Sequence, residues 1–164
     1  MGMHISPSSS SLSTASTPHR VAVAGASGRM GHMLIEAIQS ADDCVLAGAL
    51  DIAGNPFLGT DAAAFLGQPS GVAVTADLAQ GLQPAQVLID FTRPEGTLAH
   101  LQVCRQLGVN AVIGTTGFSD AQKAEIAEIA QHIAIMMAPN MQSLIYILRC
   151  RRHPLCKRPC QRIR

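Results

Sequence analysis

The sequence predicts an α/β fold, a doubly wound parallel sheet of the Rossmann type, and three observations carry that expectation. Short apolar runs alternate with stretches of helical periodicity along residues 20–141. The first run, Val21-Ala-Val-Ala-Gly25, ends in a glycine-rich turn that leads directly into a helical pattern. Hydrophobic residues make up 48% of the chain and aromatic residues only 3%. That composition suits strands buried on both faces better than a β-sandwich or a stacking platform for nucleic acid.

Taken in order, Val21 to Gly25 reads as a buried parallel strand. Arg29 to Ser40 reads as a helix, with Met30, Met33, Leu34, Ala37 and Ile38 at helical spacing. Cys44 to Asp51 is the second strand, apolar up to its terminal carboxylate. Ile52 to Gly71 is rich in Gly, Ala and Pro and predicts a loop with a short helical piece over Ala62 to Leu66. Val72 to Thr75 is a third strand and Val87 to Phe91 a fourth. Thr92-Arg-Pro-Glu95 predicts a capping box, the Thr92 hydroxyl meeting the Glu95 N–H, with Pro94 in a first turn that needs no donor. That helix is expected to run to Leu107 and stop at Gly108. Val109 to Gly114 is the next strand, Ser119 to Gln122 opens a helix with a second capping box, and Ile133 to Met137 is the last strand. Strands alternating with helices build β-α-β units with right-handed crossovers.

The chain of 164 residues can fill one core but not two full-sized domains. Its near-neutral net charge of +1 averages two unlike parts. Seven of the 12 basic residues (Arg149, Arg151, Arg152, Lys157, Arg158, Arg162, Arg164) lie at the end, whereas all 11 acidic residues come earlier. The body is therefore acidic and the tail basic. Met1 to His19 is rich in Ser, Thr and Pro without an apolar core, which predicts a disordered leader rather than a secretory signal. No apolar run approaches the roughly 18 residues of a membrane span, and a cytoplasmic protein is expected. Cys44 and Cys104 sit in apolar segments and read as small core residues.

Gly25, Gly28 and Gly31 form a G-x-x-G-x-x-G loop between the first strand and the first helix. Gly25 permits the turn, and small groups at Ala26, Ser27 and Gly28 let a pyrophosphate approach the backbone. Gly31 lets the helix pack closely, while Arg29 and Met30 open a helix whose free N–H groups and dipole favour an anion. An ordinary glycine-rich β–α turn would show the same triplet. Its place after a strand and before an apolar helix favours a dinucleotide, NAD(P)H. Asp51 ends the second strand, where a carboxylate accepts from the adenosine ribose hydroxyls; a solvated strand-end Asp is the plainer alternative. Gly114-Thr115-Thr116-Gly117 follows a buried strand, so it lies on the carboxyl edge of the sheet where ligands bind. Its two hydroxyls, flanked by glycines, can approach a nicotinamide, although a tight turn alone would read alike.

Four segments, Val23–Gly31, Ile89–Thr97, Ile113–Phe118 and Ala138-Pro-Asn-Met141, together resemble the dihydrodipicolinate reductase family. The likeness spans about Arg20 to Met141, in the same order and spacing. It implies NAD(P)H-dependent reduction of a cyclic imine dicarboxylate in diaminopimelate and lysine synthesis, by an enzyme that is usually a homotetramer. It also implies cofactor contacts at Gly25, Ala26, Ser27, Gly28, Arg29, Met30, Asp51, Gly114, Thr115, Thr116, Ala138, Pro139, Asn140 and Met141. In that family the chain goes on to a substrate domain and then returns to complete the cofactor domain. An apolar edge or face is therefore expected to lie open here.

After Met141 the pattern departs. No His-His-x-x-Lys or Ser-Gly-Thr segment, the family's catalytic and substrate motifs, occurs in residues 142–164. The abrupt run of Arg, Cys, Pro and His looks like translation out of frame, so no catalytic residue is assigned. Cys150, His153, Cys156 and Cys160 are spaced too tightly to wrap a tetrahedral zinc ion, and no metal is expected. The basic tail lacks aromatic partners for nucleic acid. A short-chain dehydrogenase would need Tyr-x-x-x-Lys, but Tyr146 is followed four residues later by Cys150. A non-catalytic NAD(P)-binding module stays open as the other reading. Ile52 stands where many family members carry a base, and no Lys or Arg lies between Arg29 and Arg93. Asp51 would repel a 2′-phosphate, so NADH is favoured over NADPH, with Arg29 the one residue able to restore dual use.

Overall fold

The computed structural model describes residues 17–137. Six strands form one sheet: β1 (His19–Ala24), β2 (Cys44–Leu50), β3 (Val74–Thr75), β4 (Val87–Asp90), β5 (Asn110–Ile113) and β6 (Ile135–Met137). Their spatial order is β3-β2-β1-β4-β5-β6 and every pairing is parallel. This is the doubly wound order, with its reversal between β1 and β4. Four α-helices connect the strands: α1 (Arg29–Gln39), α2 (Leu78–Leu82), α3 (Pro94–Leu107) and α4 (Asp120–Ile129). A 3₁₀ turn at Ala64–Leu66 occupies the expected helical piece of the long loop.

Alternation along the strands divides the core in two. Ala22, Ala24, Leu88, Ala111 and Ile113 face α2, α3 and α4, where Leu82, Leu101, Cys104, Ile126 and Ile129 meet them. Val21, Val23, Leu46, Ala49 and Val74 face the other way, against Ile35 and Ile38 of α1 and Ala62 and Ala63 of the loop. Helix α2 comes so close to β2 that a Cβ on Gly48 would lie 1.9 Å from the Gly81 carbonyl oxygen.

Several expectations need correction. The buried stripe of α1 is Gly31, Ile35 and Ile38, while Met30 and Met33 are exposed. The i, i+4, i+7 row around Gly31 packs closest because a residue without a side chain leads it. Helix α3 is capped by Arg93 without a side-chain bond, so the Thr92 capping box does not form. The Thr92 hydroxyl donates to the Asp90 carboxylate at 2.7 Å, a charge-assisted bond, and the helix starts one residue later than the box requires, with Arg93 at its cap. Pro94 in the first turn and the left-handed Gly108 at the end agree with the expectation, as does the Ser119–Gln122 capping box of α4. The short helix α2, capped by Asp77, had too little periodicity to be read. Strand β1 begins at His19, inside the stretch taken as a leader.

On the α1 side, β4 to β6 carry a row of apolar residues in register, Ile89, Val112 and Met136. The first two are half-buried and Met136 is exposed, as is Met137 beside it.

Candidate functional site

The carboxyl ends of the strands converge where the strand order reverses. Gly25 leaves β1 with φ +70°, in the left-handed region that favours glycine. The loop it starts is tied down: the Ala26 N–H bonds the Leu50 carbonyl at 3.0 Å and the Gly28 N–H returns to the Gly25 carbonyl at 3.0 Å. A Cβ on Gly31 would sit 2.1 Å from the Gly25 oxygen and 2.6 Å from the Ala26 oxygen, so α1 rests directly on the loop backbone. Gly28 caps α1 without a side-chain bond, and the first turn holds no acidic residue. The opening N–H groups of a helix have no intrahelical acceptor. Gly28, Arg29 and Met30 are exposed around them, so the turn offers N–H donors, positive dipole and a neighbouring guanidinium to an anion.

Asp51, just beyond β2, is bound into this loop. Its Oδ2 accepts the Ser27 N–H at 2.9 Å and also the Ser27 hydroxyl, and its Oδ1 accepts the Ile52 N–H at 2.8 Å. Asn55 donates to the Ser27 oxygen at 2.7 Å. Partial burial pushes the Asp51 carboxyl up, but the Ser27 and Ile52 donors outweigh it and hold it below the ordinary carboxylate range. An ionised acceptor therefore stands beside the glycine turn, with Ile52 75% exposed next to it. Asn55 was not singled out from sequence, since it lies in a loop without periodicity.

Beyond the reversal, the Gly114–Gly117 loop follows β5. Gly114 lies flat beneath the Phe91 ring, where a Cβ would come within 2.0 Å of a ring carbon. Thr116 is exposed at the edge. Thr115 corrects the expectation of two outward hydroxyls: it is 4% exposed and its hydroxyl turns inward, 3.0 Å from that of Thr97. Ala138, Pro139, Asn140 and Met141 lie outside the described residues, as do the 142–164 tail and its cysteines.

Sequence reasoning missed the groups beneath this loop. Asp90, at the end of β4, is fully buried; Oδ1 accepts the Thr92 N–H at 2.8 Å and the Thr92 hydroxyl, and Oδ2 meets His100 Nδ1 at 2.7 Å. With a carboxylate as acceptor, that His100 nitrogen carries the hydrogen. Burial pushes the Asp90 carboxyl up, yet the His100 and Thr92 bonds prevail and the net direction is down. Period-two alternation could have flagged it, because Asp90 shares a face with the fully buried Leu88.

Residues 19–141 match the family model described as dihydrodipicolinate reductase, N-terminus. The 4-hydroxy-tetrahydrodipicolinate reductase of Herminiimonas arsenicoxydans is 66% identical over 122 residues, covering 74% of this chain and 46% of that protein. The enzyme of the same name from Janthinobacterium sp. is 61% identical over an equal stretch. A dipicolinate-bound dihydrodipicolinate reductase from Paenisporosarcina sp. TG-14 superposes with a TM-score of 0.63 at 27% identity, over 82% of this chain and 51% of that one. The chain thus spans about half the length of the curated relatives it matches. By its sequence, its strand order and the loops at its switch point, the chain belongs to the dihydrodipicolinate reductase family, of which it carries the N-terminal domain.

Proposed function

We propose that residues 20–141 form the dinucleotide-binding domain of a 4-hydroxy-tetrahydrodipicolinate reductase of diaminopimelate and lysine synthesis, a cytoplasmic enzyme acting on a cyclic imine dicarboxylate. The observation that carries the reading is the union of the uncapped α1 N-terminus with an ionised Asp51 bonded through Ser27 to the same loop. The residues fit a nicotinamide dinucleotide. Gly25, Ala26, Ser27, Gly28, Arg29 and Met30 would hold the pyrophosphate, Asp51 the adenosine ribose, and Gly114, Thr115 and Thr116 the nicotinamide half, with Ala138 to Met141 as the family's remaining contacts. At Thr115 the backbone makes that contact, since its hydroxyl is engaged inside.

A bound reduced nicotinamide supplies the hydride. The residues of this chain bind and orient it: the helix dipole and N–H groups neutralise the diphosphate, and Phe91 with the Gly114 loop bounds the nicotinamide side. NADH is favoured over NADPH. A 2′-phosphate would sit beside the Asp51 anion, and the neighbouring Ile52 offers no compensating charge. The dicarboxylate substrate and the homotetramer of the family belong to the longer enzyme. Titrating the chain with NADH and NADPH tests the reading: saturable NADH binding supports it, and binding of neither nucleotide refutes it.

A further inference from the structure

We propose that Asp90, oriented by His100, is a positioning residue that sets both loops on the nicotinamide side of the switch point, Phe91–Arg93 and Gly114–Gly117. This rests on the dinucleotide reading above. Among the described residues, the fully or nearly buried polar side chains are Asp90, Thr97 and Thr115, and all three belong to one network. A carboxylate is expensive to bury and is retained where its partners need it. Its partners here come from three separate pieces of chain. Thr92, in the loop after β4, donates both its N–H and its hydroxyl to Oδ1. His100, on α3, binds Oδ2. Thr115, in the loop after β5, lies 3.5 Å from Oδ1 and is braced from behind by Thr97.

The location gives the network its consequence. The pyrophosphate turn follows β1 and the ribose carboxylate follows β2, so the adenosine half lies on the β2 side of the reversal. The other half must then cross to β4 and β5. Both loops tethered by Asp90 stand on that second side. Drawing the Thr115 hydroxyl inward leaves Thr116 and the loop backbone facing the edge. His100 keeps the carboxylate from turning away from Thr92, and its side chain is itself only 13% exposed. The network therefore bears chiefly on how the loops meet a nicotinamide; towards the diphosphate turn it reaches only as far as the Thr92 methyl, 3.1 Å from where a Gly25 Cβ would sit.

The test compares NADH with ADP-ribose, which carries the same adenosine and diphosphate but no nicotinamide. The chain and its variants Asp90→Asn, His100→Phe, Thr115→Val and Thr115→Ser are titrated with both, and their thermal melting is followed. Asp90→Asn, His100→Phe and Thr115→Val are expected to weaken NADH about tenfold with a much smaller loss for ADP-ribose, whereas Thr115→Ser keeps wild-type affinity for both. Should Asp90→Asn fail to fold, Thr115→Val, which removes a single hydroxyl at constant shape, carries the comparison. Equal losses for the two ligands, or no loss for NADH, overturn the positioning role while leaving the dinucleotide site standing. A wild-type chain that binds neither ligand refutes the dinucleotide reading, and this inference with it.

Discussion

Gly31→Ala places a methyl group where the structure has no room for one. The new Cβ would lie 2.1 Å from the Gly25 oxygen, 2.6 Å from the Ala26 oxygen and 2.8 Å from the Ala26 carbonyl carbon, against the 3.4 Å at which ordinary contact begins. All three atoms are backbone, and that backbone is fixed by the Ala26 bond to Leu50 and the Ser27 bond to Asp51. Helix α1 must therefore back away by roughly 1 Å, which loosens the packing of Ile35 and Ile38, 0% and 6% exposed. Overpacking of this kind costs about 1–3 kcal/mol. Alanine's better helix propensity returns at most about 1 kcal/mol. The net loss is about 1–2 kcal/mol, or roughly 4–8 °C in melting temperature for a domain of this size. Binding should suffer as well, because the shifted N-terminus of α1 belongs to the turn proposed to hold the diphosphate. The assay is thermal or urea unfolding with NADH titration, and Gly28→Ala serves as control for the unfolding alone, its Cβ meeting only the Gly25 oxygen at 3.2 Å. A Gly31→Ala protein that melts with the wild type and binds NADH equally well would refute the packing argument.

Gly28→Glu should abolish NADH binding with the fold intact, since its carboxylate would occupy the anion position at the helix end; unchanged affinity in the folded variant would exclude the glycine loop as the site. NADH should bind more tightly than NADPH, and a titration in which NADPH binds about tenfold tighter would overturn the role given to Asp51. The Asp90 carboxyl is held below its ordinary range, so the stability it contributes is complete at neutral pH, above the unfolded value near pH 4. That contribution is lost as pH falls through the lower folded value. Asp90→Asn should therefore melt below the wild type at pH 7 with the gap closing on acidification, and a gap that is constant with pH would contradict the pairing with His100.

Much of the fold was readable because its signals are local. A glycine that must take positive φ at Gly25, a proline opening α3 and a left-handed Gly108 closing it act within a few residues of themselves. The same is true of the apolar runs that became β1, β2, β4 and β5. What could not be read depends on residues far apart in sequence. His100 stands ten positions from Asp90 and Thr115 twenty-five; the packing of α3 on the sheet brings the first to the carboxylate and the parallel pairing of β4 with β5 the second. For that reason the Thr92 hydroxyl leaves its capping box and the Thr115 hydroxyl turns away from the edge. Each follows a buried charge whose demand for partners is stronger than any local preference. Helical spacing alone likewise allowed Met30 and Met33 as buried residues, and the close seat of Gly31 on the loop turned α1 so that Ile35 and Ile38 took the core.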